Sequence, residues 1–323
     1  MNAQLTRPFD LSEISHSLSQ MGPLNAPGSD GLPALFFQKY WDIIGEDIAL
    51  ICLQILNNGK SIKEFNHTLV ALIPKIKNVK NVKEFRPISL CNVNYKIVAK
   101  TLANRLRIIL PEVISSVRSA IVPGKYIIDN VTLAFELMHT VKKQRRIKEP
   151  KVAVKLDVTW LCNSRGIRQG DPLSPYLFVI CTEGFSSLLK QAENLGFIKG
   201  VRAAANAPPI SHLFFADDSL LFLHASLASC QSLKYLLTTY EKAAGQRINF
   251  EKSTMAFGPN SDIQLQSDMQ QILGIPIVQF HEKYLGLPTA VGQAKKALFV
   301  NLRNRVGKLL QGWKGHTFVR SSL

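Results

Sequence analysis

A chain of 323 residues is long enough for one large domain or two to three subdomains with a real core. At 46% hydrophobic and 19% charged residues it is globular, which excludes a disordered chain. The charge is lopsided: 39 Lys and Arg against 23 Asp and Glu give +16 at pH 7, a surplus that suits a polyanion, with nucleic acid favoured over an anionic membrane.

Residues 1–60 read as helical, interrupted by NAPGSDGLP (25–33), whose Pro and Gly predict a surface loop. The N-terminal MNAQLTRPFDLSE lacks the apolar centre of a signal peptide. TLVALIPKIKN (68–78) is a short apolar strand ending at Pro74. NYKIVAKTLANRLRIIL (94–110) is an amphipathic helix in which Val98, Leu102, Leu106 and Ile109 share one face. Lys96, Lys100 and Arg107 fall on the other face, either against phosphate or in solvent. ELMHTVKKQRRIK (136–148) continues as helix into a stretch with five basic residues out of seven. VAVKLDV (152–158) is a strand of β-branched character with one carboxylate near its end. After RQGDPLSP, a wholly apolar helix through YLFVICTEGFSSLLK implies burial. INFEKSTMAF (248–257) reads as a further strand, and KKALFVNLRNRVGKLLQGW (295–313) as an amphipathic helix with a strongly basic polar face. There is no internal repeat, no low-complexity segment and no apolar run of the roughly 18 residues a membrane span needs. The five cysteines (Cys52, Cys91, Cys162, Cys181, Cys230) have no C-x-x-C pair and no His at zinc spacing, which points to a reducing compartment and against a zinc site.

The chemistry concentrates in HLFFADDSLLFLH (212–224), where Asp217 and Asp218 stand side by side between apolar runs. Two such charges repel by roughly 4 kcal/mol at about 4 Å and an effective dielectric near 20. In a straight strand they would point to opposite faces. A tight hairpin between strands 213–216 and 219–223 would let both project from one end. A divalent cation there would turn repulsion into ligation, and a third carboxylate on a neighbouring strand, with Asp157 the candidate, would complete a two-metal phosphoryl-transfer site. An exposed turn with two solvated aspartates is the alternative on these three letters alone.

The stretches NAPGSDGLPALFFQKYW, NHTLVALIPKIKN, FRPISLCNVNYKIVAKTLANRL, SAIVPGKYIIDN, VAVKLD, SRGIRQGDPLSPYLF, SHLFFADDSLLF, GQRINFEKS and KYLGLP, in this order, resemble the reverse transcriptase domain of plant LINE-type (non-LTR) retrotransposons over nearly the whole chain. The resemblance implies an α+β right-hand polymerase with an antiparallel palm sheet: N-terminal extension and fingers over 1–150, palm over 151–260, partial thumb over 261–323. It implies RNA-directed DNA polymerisation on an RNA template, with a DNA primer and deoxynucleoside triphosphates, in the nucleus or cytoplasm and without a membrane. Asp157, Asp217 and Asp218 match the catalytic aspartates that hold two Mg²⁺, or Mn²⁺ in their place. Arg86 and Lys125 resemble finger residues facing template and triphosphate; the family more often has Arg at the second place, and Lys loses its bidentate geometry. Gln169 and Gly170 resemble palm residues at the incoming nucleotide, and Lys252 a lysine that protonates pyrophosphate. Arg86 also reads as a salt-bridged loop residue and Lys252 as a solvated strand end.

One departure stands out. In the family the KLD motif runs on to an aromatic and a second Asp, and several dozen residues precede SRGxRQGDP. Here only 12 positions separate Asp157 from Gln169, and Cys162 stands where the ribose-gating aromatic belongs. A crossover back into a sheet takes about a dozen residues alone, so a palm helix is expected to be missing, through decay of the element or a misplaced exon boundary. Such a copy is expected to be impaired, and a non-catalytic nucleic-acid-binding remnant is the alternative. No endonuclease precedes these motifs and nothing resembling RNase H or a zinc knuckle follows HTFVRSSL, so integration is expected to draw on other proteins.

Overall fold

The computed structural model describes residues 2–115, 124, 126–143, 149–159, 168–215, 218–279, 283–284, 287–288, 300, 303–304 and 307. The N-terminal part is helical: α1 (Asn2–Thr6), α2 (Leu11–Ser19), α3 (Ala34–Lys39) and α4 (Trp41–Asn58), with residues 25–33 looping between α2 and α3 as expected. The sequence DLSE starts α2 as a capping box: the Asp10 carboxylate accepts the Glu13 amide while Glu13 reaches back to the Asp10 amide. A two-stranded ribbon follows, β1 (Thr68–Pro74) and β2 (Phe85–Cys91), antiparallel from Thr68↔Cys91 to Pro74↔Phe85. Next come α5 (Val93–Val113) and α6 (Ile127–Lys143). Ile14, Leu18, Phe37, Cys52, Val93 and Ile97 form one core from α2–α5.

Arg105 sits inside this N-terminal core, 4% exposed on the face that helical periodicity assigns to apolar residues. Its Nε and Nη2 donate to the two Glu13 carboxylate oxygens at 2.9 and 2.7 Å. Its remaining N–H groups donate to the carbonyls of Leu5, Arg7 and Pro8, and the guanidinium lies 3.3 Å from the Phe9 ring centroid. Removing one partner of a buried pair strands the other, so Arg105→Ala should cost about 3 kcal/mol. The hydrogen bond from Arg105, ahead of its charge, holds the Glu13 carboxyl below its ordinary 4.5. A depressed carboxyl stabilises the fold above its unfolded value, and that contribution disappears as pH falls through the lower folded value. Urea melts should therefore weaken below pH 4.5 in the parent chain, and less so in Arg105→Ala.

The central sheet is built on β3 (Lys151–Thr159). Downstream lie α7 (Ser174–Asn194), β4 (Val201–Arg202), β5 (Pro209–Ile210), β6 (His212–Phe215), β7 (Asp218–His224), α8 (Leu227–Ala244), β8 (Arg247–Ile248), β9 (Thr254–Phe257), α9 (Ile263–Leu273), β10 (Lys283–Tyr284) and β11 (Leu287–Pro288). The strand order is β6–β7–β3, all antiparallel, with β8 and β9 both on the remaining edge of β3. Alternation along β3 sends Val152, Val154 and Leu156 to one face, against Phe185 and Leu189 of α7, Leu237 of α8 and Leu273 of α9. Ala153 faces the other way with Leu213, Leu220 and Phe222, covered by Ala134, Leu137, Met138 and Val141 of α6. Both faces are buried, which is why HLFF and SLLFL are apolar without alternation.

Three expectations need correction. Residues 248–257 are two short strands, not one, because residues 249–253 turn away from β3 between them. The helix after RQGDPLSP is buried on one side only: Phe178, Val179, Phe185 and Leu189 face inward, while Ile180 is 36% exposed and Lys190 lies in solvent. It packs on a single sheet face, so its other side meets water. Third, the hairpin strands begin at His212 and at Asp218, so Asp218 belongs to the second strand. Of the basic stretches, 144–148 and most of 295–313 lie outside the described residues; 300, 303–304 and 307 are helical. Among the described residues, no helix is long and apolar enough to cross a membrane.

Candidate active site

Asp157 of β3 stands directly opposite Asp218 of β7 in the antiparallel register. Such partners project to the same face with Cα atoms roughly 4.5–5.5 Å apart, so two carboxylates meet at the end of the ladder. Lys155, two residues back on the same face, places its Nζ 3.2 Å from Asp218 Oδ1, both side chains about one-third exposed at 31% and 33%. Asp217 lies outside the described residues. Two facing carboxylates with a third adjacent in sequence form a donor set that a divalent cation takes. Among the described residues alone, no group of three His, Cys, Asp or Glu could hold a metal ion.

The other edge of β3 holds Asp157 by its backbone. The Asp157 N–H donates to Ser253 Oγ at 3.1 Å, and its carbonyl accepts the Asn249 N–H at 2.8 Å. Ser253 Oγ in turn donates to the Asn249 carbonyl at 2.8 Å, closing the turn between β8 and β9. Five residues of this turn face only Leu156 and Asp157, a bulge that fixes where the carboxylate-bearing end of β3 lies. Lys252 is exposed on the turn, its N–H bonded to Asn249. From the opposite side, Asn130 of α6 donates to the Phe214 carbonyl at 3.0 Å and anchors β6. His212, buried, joins β6 to α7 through Ser186 Oγ at 2.7 Å.

Gln169 and Gly170 form a second grouping, on the loop entering α7. The Ser89 N–H of β2 donates to the Gln169 carbonyl at 2.8 Å. Asp171, buried, accepts the Tyr95 hydroxyl at 2.9 Å, and burial ahead of the Asp171 charge pushes the Tyr95 phenol up. Arg168 donates to Thr68 Oγ1 at 2.6 Å. The loop is thus docked on the ribbon that carries Arg86, which is exposed on β2 opposite Ile73. Among the described residues, Arg86 makes no ion pair. Gly170 has φ +104°, and a Cβ there would come within 2.9 Å of the Ser89 carbonyl oxygen. Gly170→Ala combines backbone strain with this clash and should cost about 1–3 kcal/mol, read as a lower denaturation midpoint, whereas the exposed Gln169→Ala should change it little. Beside Gly170 a cavity of about 360 Å³ is lined by Ile88, Lys96 and Lys100. Lys96 Nζ donates to the Ala26 carbonyl at 3.0 Å, and burial lowers both lysines, so neither is simply solvated. Lys125 and Cys162 lie outside the described residues.

Sequence reasoning missed Lys155, Asn249, Ser253, Asn130 and Arg168. Each stands inside a motif of the sequence, but only the register and the turn reveal its partner. Among the described residues, the cysteine thiols are free.

Residues 159–288 match the reverse transcriptase (RNA-dependent DNA polymerase) family. That span includes Gln169, Gly170, Asp217, Asp218 and Lys252; Arg86, Lys125 and Asp157 precede it. The chain is 28% identical over 374 aligned positions to the transposon TX1 uncharacterized 149 kDa protein of Xenopus laevis, with 98% of this chain and 27% of the relative covered. It is 27% identical over 277 positions to a retrovirus-related Pol polyprotein from the type-1 retrotransposable element R2 of Nasonia vitripennis, covering 71% and 26%. An uncharacterized mitochondrial protein of Arabidopsis thaliana is 57% identical over 56 residues, 17% of this chain and 46% of that protein. The chain thus spans about a quarter of two curated relatives and under half of the third. Over residues 159–288 the chain is thus similar to reverse transcriptases, and two of its relatives are named as a transposon protein and a retrotransposable-element polyprotein.

Proposed function

We propose that this chain is the RNA-directed DNA polymerase domain of a LINE-type, non-LTR retrotransposon, and that its activity is impaired by the short passage from Asp157 to Gln169. The observation that carries the reaction class is the direct opposition of Asp157 and Asp218 at the end of an antiparallel sheet. In this reading residues 1–150 are the N-terminal extension and fingers, 151–260 the palm, and 261–323 a partial thumb of a right hand. Asp157, Asp217 and Asp218 would hold two divalent ions, Mg²⁺ or Mn²⁺, whose charge would supply activation of the primer 3′-hydroxyl and stabilisation of the leaving pyrophosphate.

The chain's own groups do the positioning. The β3–β7 register sets the two carboxylates on one face, and the 249–253 turn fixes Asp157 along the strand. Lys155 neutralises Asp218 when no cation does. Gln169 and Gly170 seat the incoming deoxynucleotide, the missing Cβ of Gly170 allowing close approach. Arg86 and Lys125 face the RNA template and the triphosphate, and Lys252 Nζ donates a proton to the pyrophosphate. Support for a missing palm segment comes from the short interval itself, 12 positions from Asp157 to Gln169.

A non-catalytic nucleic-acid-binding remnant is the second reading, favoured by the Lys155–Asp218 ion pair, which satisfies the carboxylate without a metal. Mg²⁺-dependent extension of a DNA primer on an RNA template separates the two. Extension that disappears in Asp218→Ala supports the polymerase. Tight binding of primer–template with no extension, even after the missing segment is restored, supports the remnant.

A further inference from the structure

The face of the sheet that carries Asp157 and Asp218 ends, six residues away along both strands, in the pair Lys151↔His224. At about 3.3 Å per residue the two ends are roughly 20 Å apart. Between them, once past Lys155, the face carries Ala153, Leu220 and Phe222 and is covered by α6, so the far end is a separate place. A cavity of about 880 Å³ opens there, inside the range of roughly 300–1,000 Å³ typical of small-molecule sites. Its lining includes Lys143, Lys151, Lys199 and Arg202, with Glu193 the sole carboxylate among the lining residues described.

The carboxylates nearby are already engaged. Glu193 accepts the Gly200 N–H at 3.1 Å, and Glu149 is held by Lys199 Nζ at 2.9 Å and lies 2.8 Å from His224 Nδ1. Lys151 is only 7% exposed as a residue and lines the cavity. Burial lowers its ammonium, ahead of the opposing effect of Glu149. With Lys143, Lys199 and Arg202 on the same lining, an anion placed there would meet positive charge from several elements. Another part of the lining is non-polar: Ile198, Ala203, Ala204 and Pro209 offer a wall on which a flat ring could lie.

We propose that this cavity binds a nucleoside monophosphate unit, its phosphate at Lys151 between Lys143 and Arg202 and its base against the Ala203–Pro209 wall. The unit arrives either as a free nucleotide or as part of a single strand. The site does not depend on polymerase activity and stands if the proposed function fails.

Calorimetric titration of the 323-residue chain in EDTA, which removes any contribution of divalent ions at the aspartates, tests it with three probes: AMP, inorganic phosphate and oligo-adenylate. AMP should bind more tightly than phosphate, and Lys151→Gln should weaken AMP at least tenfold. Should that buried substitution compromise folding, the exposed pair Lys143→Ala and Arg202→Ala, made together, should give the same loss. Displacement of AMP by oligo-adenylate identifies a strand as the source, and failure to displace identifies the free nucleotide. Phosphate binding as tight as AMP, or AMP affinity unchanged in the folded variants, would overturn the proposal.

Discussion

Primer extension by the 323-residue chain is expected to run at least about a hundredfold below that of the same chain with a relative's palm segment inserted after Asp157. Two-metal transfer depends on placement at the ångström level, and a misplacement of about 1 Å can cost about 10²-fold in rate. Asp157 is pinned on two sides, by Asp218 across the ladder and by the turn at Asn249 and Ser253. Beyond Thr159 it has only eight residues before Arg168, whose loop is fastened to β1 and β2. A link of eight residues leaves no room for a crossover of about a dozen, so the placement of Asp157 against primer and nucleotide is expected to suffer. In the proposed reading Cys162 takes the place of the ribose-gating aromatic and is too small to wall off a 2′-hydroxyl, so residual activity should discriminate poorly against ribonucleotides. Gel assays with both nucleotide types measure rate and selectivity together. Robust, deoxynucleotide-selective extension by the unmodified chain would refute the impairment.

Affinity for RNA and RNA–DNA hybrids should fall about a thousandfold or more between about 50 and 200 mM salt, if about six phosphates are contacted. The +16 charge supplies the attraction. On α5 the cations are not equivalent. Lys96 is bonded to the Ala26 carbonyl and Lys100 is partly buried, whereas Arg107 is exposed. Arg107→Ala should therefore reduce the slope of log Kd against log salt by about one. Binding that does not respond to salt would count against both the polymerase and the remnant.

The strand bearing Asp157 was legible because VAVKLDV is β-branched and short, and the hairpin because apolar runs flank ADD. The turn at 249–253 was not, since INFEKSTMAF contains no Gly or Pro and its Ser253 is explained only by the Asp157 amide 96 residues away. Arg105 was hidden for the same reason: helical periodicity marks it as an interruption of the apolar face, and its partner Glu13 is 92 residues distant. Helix faces and strand runs are local properties, while the groups that aim a carboxylate or satisfy a buried cation come from elsewhere in the chain. Lys155 lies between these cases, visible in the KLD motif but assigned to Asp218 only by register.

The placement of β3 has a consequence for how the protein is made. Both of its edges are filled by later segments, residues 218–224 on one side and 247–257 on the other. During synthesis β3 therefore leaves the ribosome with two open edges; the partner for one follows about 60 residues later and the partners for the other about 90 to 100 residues later, a state that invites pairing with other strands. The N-terminal helices, complete once α5 has emerged, can settle long before. Pairings this distant also slow folding once the chain is free. A nascent chain stalled before residue 247 should thus give a protease-resistant N-terminal fragment and a cleavable sheet, and one stalled well past 257 should protect both.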